Sequence, residues 1–169
     1  LTAMLALNVS TEVLNGFTLV QRSLSQNIAS SDMQNNVMYQ QFQDLNSQNP
    51  AKVGEWLNKA KYVREKTDSL YNVIEQLKVD IAKKADGPEG DVNDIKARDN
   101  LNIGGEVALL TNRAKKLKKS INRYADEMSK LVAKDTSKVR TIKENFKTTG
   151  IKAANGDPVS WENAIFETM

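Results

Sequence analysis

Residues 1–47 have the sequence LTAMLALNVSTEVLNGFTLVQRSLSQNIASSDMQNNVMYQQFQDLNS, which contains no proline and a single glycine. Apolar residues recur along it in steps of three and four, a spacing that places them on one face of an α-helix. They are Leu5, Val9, Val13, Phe17, Val20, Leu24 and Ile28, and then Met38, Phe42 and Leu45. At 1.5 Å per residue this helix would be about 70 Å long, more than a compact domain of this size can cover. We therefore expect one end of the helix to leave the domain.

The N-terminal end of this helix is nearly free of charge. Glu12 is the only charged residue from Leu1 to Val20. The chain begins with Leu1 rather than Met, and we expect a longer apolar segment to precede it. Since a bilayer core requires about 20 apolar residues, residues 1–20 are predicted to be the C-terminal part of a transmembrane helix and its exit from the membrane. On composition alone, a buried core helix is the alternative.

Two groups of residues stand out in the predicted membrane segment. The first should contact partner helices, because packing rather than hydrophobicity holds helices together in lipid. It consists of Leu1, Ala3, Met4, Leu5, Ala6 and Leu7. The second group, Asn8, Glu12 and Gly16, is predicted at the membrane boundary. A carboxylate is costly inside a bilayer, and the polar residues around Glu12 favour the boundary over a role in an ion path. Gly16 either permits a bend there or packs against another helix.

Two more long helices are predicted. Asn49-Pro50 combines an N-cap with a proline at the first helical position, which indicates a second helix from about Pro50 to Ala85. Its apolar seam has near-heptad spacing. The seam consists of Val53, Trp56, Leu57, Ala60, Val63, Thr67, Leu70, Ile74, Leu77 and Ile81. After Gly104-Gly105, the clearest heptad of the chain predicts a third helix. Its apolar positions are Leu110, Ala114, Leu117, Ile121, Tyr124, Met128 and Leu131.

The remaining segments are shorter. Residues 92–105 are interpreted as an ordered connection, and residues 135–150 continue an apolar face either as a fourth helix or as a bent continuation of the third. A turn at 155–158 precedes a short amphipathic helix over 160–166, which is expected to dock on the bundle through Trp161, Ile165 and Phe166. Trp56 and Trp161 are predicted to be core anchors. Together these patterns predict an all-α fold, a long-helix up-down bundle over residues 21–169 that is continuous with an N-terminal transmembrane helix.

The composition argues against an enzyme. The chain contains neither cysteine nor histidine, so it has no thiolate nucleophile, no imidazole base and none of the usual zinc ligands. We predict no catalytic residues, no cofactor and no metal site. A helical enzyme that uses only carboxylates is the least favoured alternative. The net charge of +3 is mild, and we therefore expect no nucleic-acid partner.

Two charged clusters are interpreted as solvated surface. Six basic residues between Arg113 and Arg123 lie around an apolar stripe, as on any soluble helix, although phosphate or anionic lipid is an alternative. The acidic cluster near the second connection does not match the spacing of a calcium loop. Its members are Asp86, Glu89, Asp91, Asp94 and Asp99.

Three stretches of the chain resemble one known family. The segment LTAMLALNVSTEVLNGF (1–17) closely resembles the membrane-exit segment of GldM/PorM proteins. The connection VNDIKARDNL (92–101) and the C-terminal SWENAIFE (160–167) are similar to the first periplasmic domain of the same family. The resemblance covers essentially the whole chain. Three parts of the complete family pattern are not present in this sequence. They are the cytoplasmic start, the basic first half of the membrane helix and the later β-rich domains.

The resemblance implies a function. A GldM/PorM protein is a non-enzymatic subunit of an inner-membrane motor, driven by the proton gradient, that powers type IX protein secretion and gliding motility. It implies a homodimer anchored in the inner membrane with this domain in the periplasm, a GldL/PorL-type partner in the membrane, and contact with outer-membrane ring components through later domains. The alternative from another class is a periplasmic sensory bundle that signals through a membrane helix, which would require a pocket with convergent polar groups.

Overall fold

The chain forms a mostly helical structure, as predicted. The computed structural model describes residues 11–98, 100 and 102–167, with residues 11–15 described by their backbone alone. The helices are α1 (Thr11–Gln48), α2 (Pro50–Asp86), α3 (Ile103–Ala108), α4 (Arg113–Leu131), α5 (Thr136–Asn145) and α6 (Trp161–Phe166). Two short strands, β1 (Ile151–Lys152) and β2 (Pro158–Val159), form an antiparallel pair. The sequence did not predict this pair.

The chain divides into two compact units, residues 1–61 and residues 62–169. The first unit contains α1 and the beginning of α2, joined at Asn49. The side-chain oxygen of Asn49 accepts a hydrogen bond from the amide of Lys52 at 3.2 Å, and Pro50 opens α2, as the capping pattern predicts. Asparagine at the N-cap satisfies an amide that has no partner within the helix.

In the first unit, α1 packs on α2 near this junction. The hydroxyl of Tyr39 donates to the carbonyl of Ala60 at 2.9 Å. Leu57 is buried and Phe42 is half-buried. The contacting face of α1 therefore follows Tyr39, Phe42 and Asn46, whereas Met38, which the predicted stripe places on this face, is 51% exposed.

The second unit has a continuous apolar core. It is built from the later part of α2 with α3, α4 and α6, and its buried members are Leu77, Ile103, Val107, Ala108, Ala114 and Leu117. Trp161 and Phe166 of α6 pack against this cluster with their rings edge to face, 6.4 Å between centroids. The prediction that the short C-terminal helix docks on the bundle is confirmed for Trp161 and Phe166 but is wrong for Ile165, which is 58% exposed. The N-cap Ser160 starts that helix by accepting from the amide of Asn163.

The predicted apolar seam of α2 is only partly correct. Ile74 and Thr67 are exposed, and Val73 packs on the core instead. Trp56 is also not a core anchor, because it is 60% exposed with the Lys59 ammonium 4.8 Å above its ring. A straight helix has 3.6 residues per turn, so a seven-residue repeat read along 37 residues drifts off the contacting face. The contacting positions follow steps of three and four from Leu70 instead.

The predicted third helix is two helices. Gly104 and Gly105 lie inside α3, and the chain breaks before α4 at Asn112, which adopts a left-handed conformation with φ 58°. Asparagine tolerates this conformation better than most residues. Leu110, predicted as the first core position of the heptad, lies in the break and is 79% exposed. A Cβ on Gly105 would lie 2.9 Å from the carbonyl oxygen of Phe166, so the glycine permits a close approach of α6 rather than starting a helix.

Helix α5 is a separate helix, which resolves the alternative left open by the sequence. Asp135 caps it by accepting from the amide of Lys138 at 3.1 Å. The ring of Phe146 contacts that of Tyr124 at 5.1 Å, and Thr148 donates to Asn122 at 2.7 Å. The chain after α4 therefore folds back along it. The helix ends at Asn145, earlier than the predicted end near Gly150, and the predicted turn at 155–158 connects the two strands.

Candidate functional site

The predicted membrane-contact residues lie outside the part of the chain that the structure describes. These residues are Leu1, Ala3, Met4, Leu5, Ala6, Leu7 and the boundary residue Asn8. Glu12 belongs to α1, but its side chain is not among those described. Gly16 is exposed within the uninterrupted helix, and a Cβ placed on it would meet no atom within 4 Å. Within the described ranges, no helix has both the length and the apolar character needed to cross a membrane.

Helix α1 exposes a long apolar face. We call this face the α1 stripe, defined by Phe17, Val20, Leu24, Ile28, Met38 and Leu45. Each of these side chains is more than half exposed. The sequence correctly predicts the spacing of the stripe. The part beyond Val20 was expected to pack in the bundle, but its members Leu24, Ile28, Met38 and Leu45 are exposed. A row of exposed large apolar side chains on one helix face is typical of an interaction site.

The surroundings of the α1 stripe are polar but almost uncharged. From Thr18 to Ser47 the charged residues are Arg22, Asp32 and Asp44. Asp32 accepts from Asn36, and Asp44 from Gln40, each at 3.2 Å and four residues apart on the same helix. Solvated helices normally carry many charges, whereas depletion of charge is characteristic of interface cores. This charge depletion is a signal in the sequence that could have identified α1 as a contact surface.

The acidic cluster is used mainly to shape the connection between α2 and α3. Asp86, at the end of α2, accepts from the amides of Lys96 at 2.7 Å and Ala97 at 2.9 Å. These backbone hydrogen bonds hold the pKa of the Asp86 carboxyl below its usual value, because they favour the charged form. Asp94 pairs with Arg98 at 3.4 Å. Among the described residues, no three potential ligands come close enough to hold a metal ion.

Charged side chains also join the helices of the second unit. Arg113 of α4 pairs with Asp80 of α2, and Lys118 pairs with Glu162 of α6 at 2.9 Å. The hydrogen bond from Lys118 is the main reason why the pKa of Glu162 is lowered. Two of the six basic residues in the predicted cluster therefore pair with carboxylates on other helices. The sequence analysis interpreted all six as solvated surface, because it considered only the helix that carries them.

Two small grooves lie between α2 and α4 within the second unit. The first, about 260 Å³, is lined by polar groups that include Lys66, Arg123 and Glu127. Lys66 is 3.2 Å from Glu65, whose hydrogen bond raises the pKa of the lysine. The second groove is about 200 Å³. Both volumes are below the usual range for small-molecule sites, about 300–1,000 Å³, so the α1 stripe is the stronger candidate for a functional surface.

Comparison with known proteins identifies one family. The family model described as the GldM N-terminal domain matches residues 12–169, which is nearly the entire chain. No curated protein matches the chain. From residue 12 onward the match includes α1, the rest of the first unit and the whole second unit, so the charge-depleted α1 stripe and the α6 docking site belong to one family domain.

Proposed function

The chain belongs to the GldM N-terminal domain family, and from this premise we propose that it is a non-enzymatic subunit of a motor that transmits motion across the periplasm. The motor would be driven by the proton gradient, sit in the inner membrane, and power type IX secretion and gliding. Membership of the family supports a component of the type IX secretion and gliding machinery. The motor role rests on the form of α1.

Helix α1 is the observation that carries the proposal. It is continuous over Thr11–Gln48, about 57 Å at 1.5 Å per residue. An unbroken helix transmits tilt or rotation because it has no flexible joint that absorbs the movement. Gly16, the one glycine in α1, does not interrupt it. We propose that residues 1–20 form the membrane end of this helix and that residues 21–169 form a periplasmic bundle.

The α1 stripe supports an assembly of more than one chain. Six apolar side chains that are more than half exposed need a cover in the working protein, and the scarcity of charged residues along α1 keeps the free-energy cost of desolvating this surface small. We propose that a second copy of the chain covers the stripe in a homodimer. A GldL/PorL-type subunit would contact Leu1, Ala3, Met4, Leu5, Ala6 and Leu7 in the membrane, and Asn8, Glu12 and Gly16 would lie at its boundary. Outer-membrane ring components would be reached through later domains.

Breaking α1 tests the motor role. Val20→Pro removes a backbone hydrogen bond and clashes with the preceding turn, at a cost of about 3 kcal/mol or more. Secretion and gliding should fail while the protein is still present and assembled. Val20→Ala is the matched control, because it shortens the same side chain but preserves the helix. Glu89→Gln, in the connection after α2, should also leave activity intact. Normal motility of the assembled proline variant would favour a flexible tether instead.

Two further measurements test the partners. A chain that starts after Val20 should lose the membrane subunit on copurification from detergent, and full retention would disprove the proposed membrane contact.

The dimer interface is tested separately. Leu24→Asp with Ile28→Asp should convert a dimer into a monomer in light scattering, since it places charges in the apolar interface. Lys52→Asp with Lys61→Asp, at exposed positions on α2, is the control. An unchanged dimer in the stripe variant would show that another surface holds the two copies together.

A further inference from the structure

The positive charge of the chain is concentrated in one segment. Residues 113–147, which contain α4 and α5, carry twelve lysines and arginines and four acidic residues, a net charge of +8. The whole chain carries only +3, so the remaining residues are acidic overall, at −5. The small net charge of the whole chain is therefore the sum of one strongly basic region and an acidic remainder. Regions of this kind attract partners of opposite charge and determine which partners approach productively.

Four of these cations form a row on α4. We call Lys116, Lys119, Arg123 and Lys130 the cationic row. At 100° per residue they fall within about 60° of arc, on the side of the helix away from the buried Leu117 and Met128. All four side chains are exposed. Within the described part of the chain, no carboxylate lies within 4 Å of any of them.

The cationic row is long and narrow. It extends from Lys116 to Lys130, 15 residues or about 21 Å along the helix axis. Asp126 and Glu127 lie on the two flanks of the row, within about 40° of its members. The contacts of Phe146 with Tyr124 and of Thr148 with Asn122 hold the segment after α5, which carries Lys147, against this part of α4. Neighbouring like charges along a helix repel one another, and a ligand that carries carboxylates along the row would relieve this repulsion.

We propose that the cationic row binds an acidic helical segment of a partner protein. Carboxylates spaced three, four and seven residues apart on such a helix would match the row over its length. A broad polyanion fits less well, because the surface of a bilayer or of duplex DNA would also meet the flanking Asp126 and Glu127. The inference is independent of the motor role, because it concerns a surface on α4 and α5 rather than α1.

Two further observations favour a protein over lipid or nucleic acid. No large apolar side chain is exposed among the described residues from 111 to 150, so this face has no anchor for insertion into a membrane, which stable membrane binding by a helix requires. Tyr124, the aromatic residue nearest the row, packs its ring against Phe146 and hydrogen-bonds Thr67 at 3.0 Å. It is therefore not free to stack on bases, as single-stranded nucleic acid binding requires.

The test compares binding of defined probes to the chain. The first probe is a labelled helix-forming peptide with glutamates along one face, followed by anisotropy, and the others are a scrambled peptide of the same composition, phosphatidylglycerol vesicles and duplex DNA. The aligned peptide should bind most tightly, and its affinity should fall as salt rises above about 0.1 M. Tighter binding of vesicles or DNA, or equal binding of the scrambled peptide, would overturn the proposal.

Charge variants locate the site. K116E/R123E/K130E should weaken binding of the aligned peptide by about tenfold or more. K52E/K61E/K83E makes the same change in net charge at exposed lysines outside the row and should stay within about twofold of the parent chain. The neutral K116Q/R123Q/K130Q should give an intermediate loss, which separates lost attraction from new repulsion. Equal losses in the row and control variants would mean that net charge alone governs binding, and thermal melts check that each variant is folded.

Discussion

Helices α1 and α4 have the same kind of apolar periodicity but opposite environments. In α1 the apolar residues at steps of three and four remain in contact with solvent, and Leu24 is 57% exposed. In α4 the equivalent pattern is buried, and Leu117 is 7% exposed. The difference lies in the neighbours, since α4 is covered by α2, α3, α5 and α6 whereas the described residues leave most of α1 exposed. Periodicity therefore indicates which face of a helix is apolar, and not what covers that face.

The largest expected effect comes from placing the same negative charge on the apolar face of α1 and on that of α4. Leu117→Asp buries an unpaired carboxylate and should lower the free energy of unfolding by about 3–5 kcal/mol. Leu24→Asp should change it by less than about 0.5 kcal/mol in dilute, monomeric protein. Ile74→Asp, at a position that the sequence places in the apolar seam of α2, should cost only about 1 kcal/mol because Ile74 is 36% exposed. Urea unfolding followed by circular dichroism measures all three, and equal losses at Leu24 and Leu117 would contradict the comparison.

The two tryptophans provide a second comparison of buried and exposed anchors. Trp161→Ala removes the edge contact with Phe166 and part of the core packing, and should destabilise the chain by about 2–3 kcal/mol. Trp56→Ala removes a ring that contacts mainly Lys59 and solvent, with an expected loss below about 1 kcal/mol. Thermal unfolding of the two variants distinguishes these cases. A larger loss at Trp56 would indicate that its ring is covered in solution.

Gly105 and Gly16 extend the comparison of covered and exposed positions to the backbone. Gly105→Ala should destabilise by about 1–2 kcal/mol, because the new Cβ would meet the Phe166 carbonyl oxygen at 2.9 Å. Gly16→Ala should instead stabilise α1 by about 0.5–1 kcal/mol, since alanine is the better helix former and the space is open. The measurement is the midpoint of denaturant unfolding for each variant. Stabilisation by Gly105→Ala would show that α6 does not approach α3 so closely.

The smallest effect concerns Asp86 and depends on pH. The pKa of Asp86 is lowered in the folded chain from its ordinary value of 3.8, so its contribution to stability is fully present above pH 3.8 and is lost as the pH falls through the folded pKa. Asp86→Asn should therefore lower the melting temperature slightly at neutral pH, and the difference from the parent chain should shrink below about pH 3.8. A difference that is independent of pH would mean that the charge of Asp86 does not order the connection.

Local chemistry explains which elements could be predicted. The boundaries of α2 follow from Asn49-Pro50 and from the breakers after Asp86, and the start of α6 follows from Ser160, because capping and turn residues act over a few positions. The sequence does not predict the left-handed Asn112, where the helix breaks before α4, or the packing of α6 over Gly105. Neither condition is visible in a pattern of apolar residues.

Sequence by itself determined the helical class, the apolar face of each long helix, the lack of thiol and imidazole chemistry, and the family resemblance that the family match confirms. These properties depend on the order of side chains along one element. Tertiary structure alone decided that Leu117 is buried while Leu24 is exposed, that Asp86 orders the connection, and that Lys118 docks α6 while Lys116 has no carboxylate partner among the described residues. Burial and pairing depend on which other element approaches, and residues distant in sequence determine that approach.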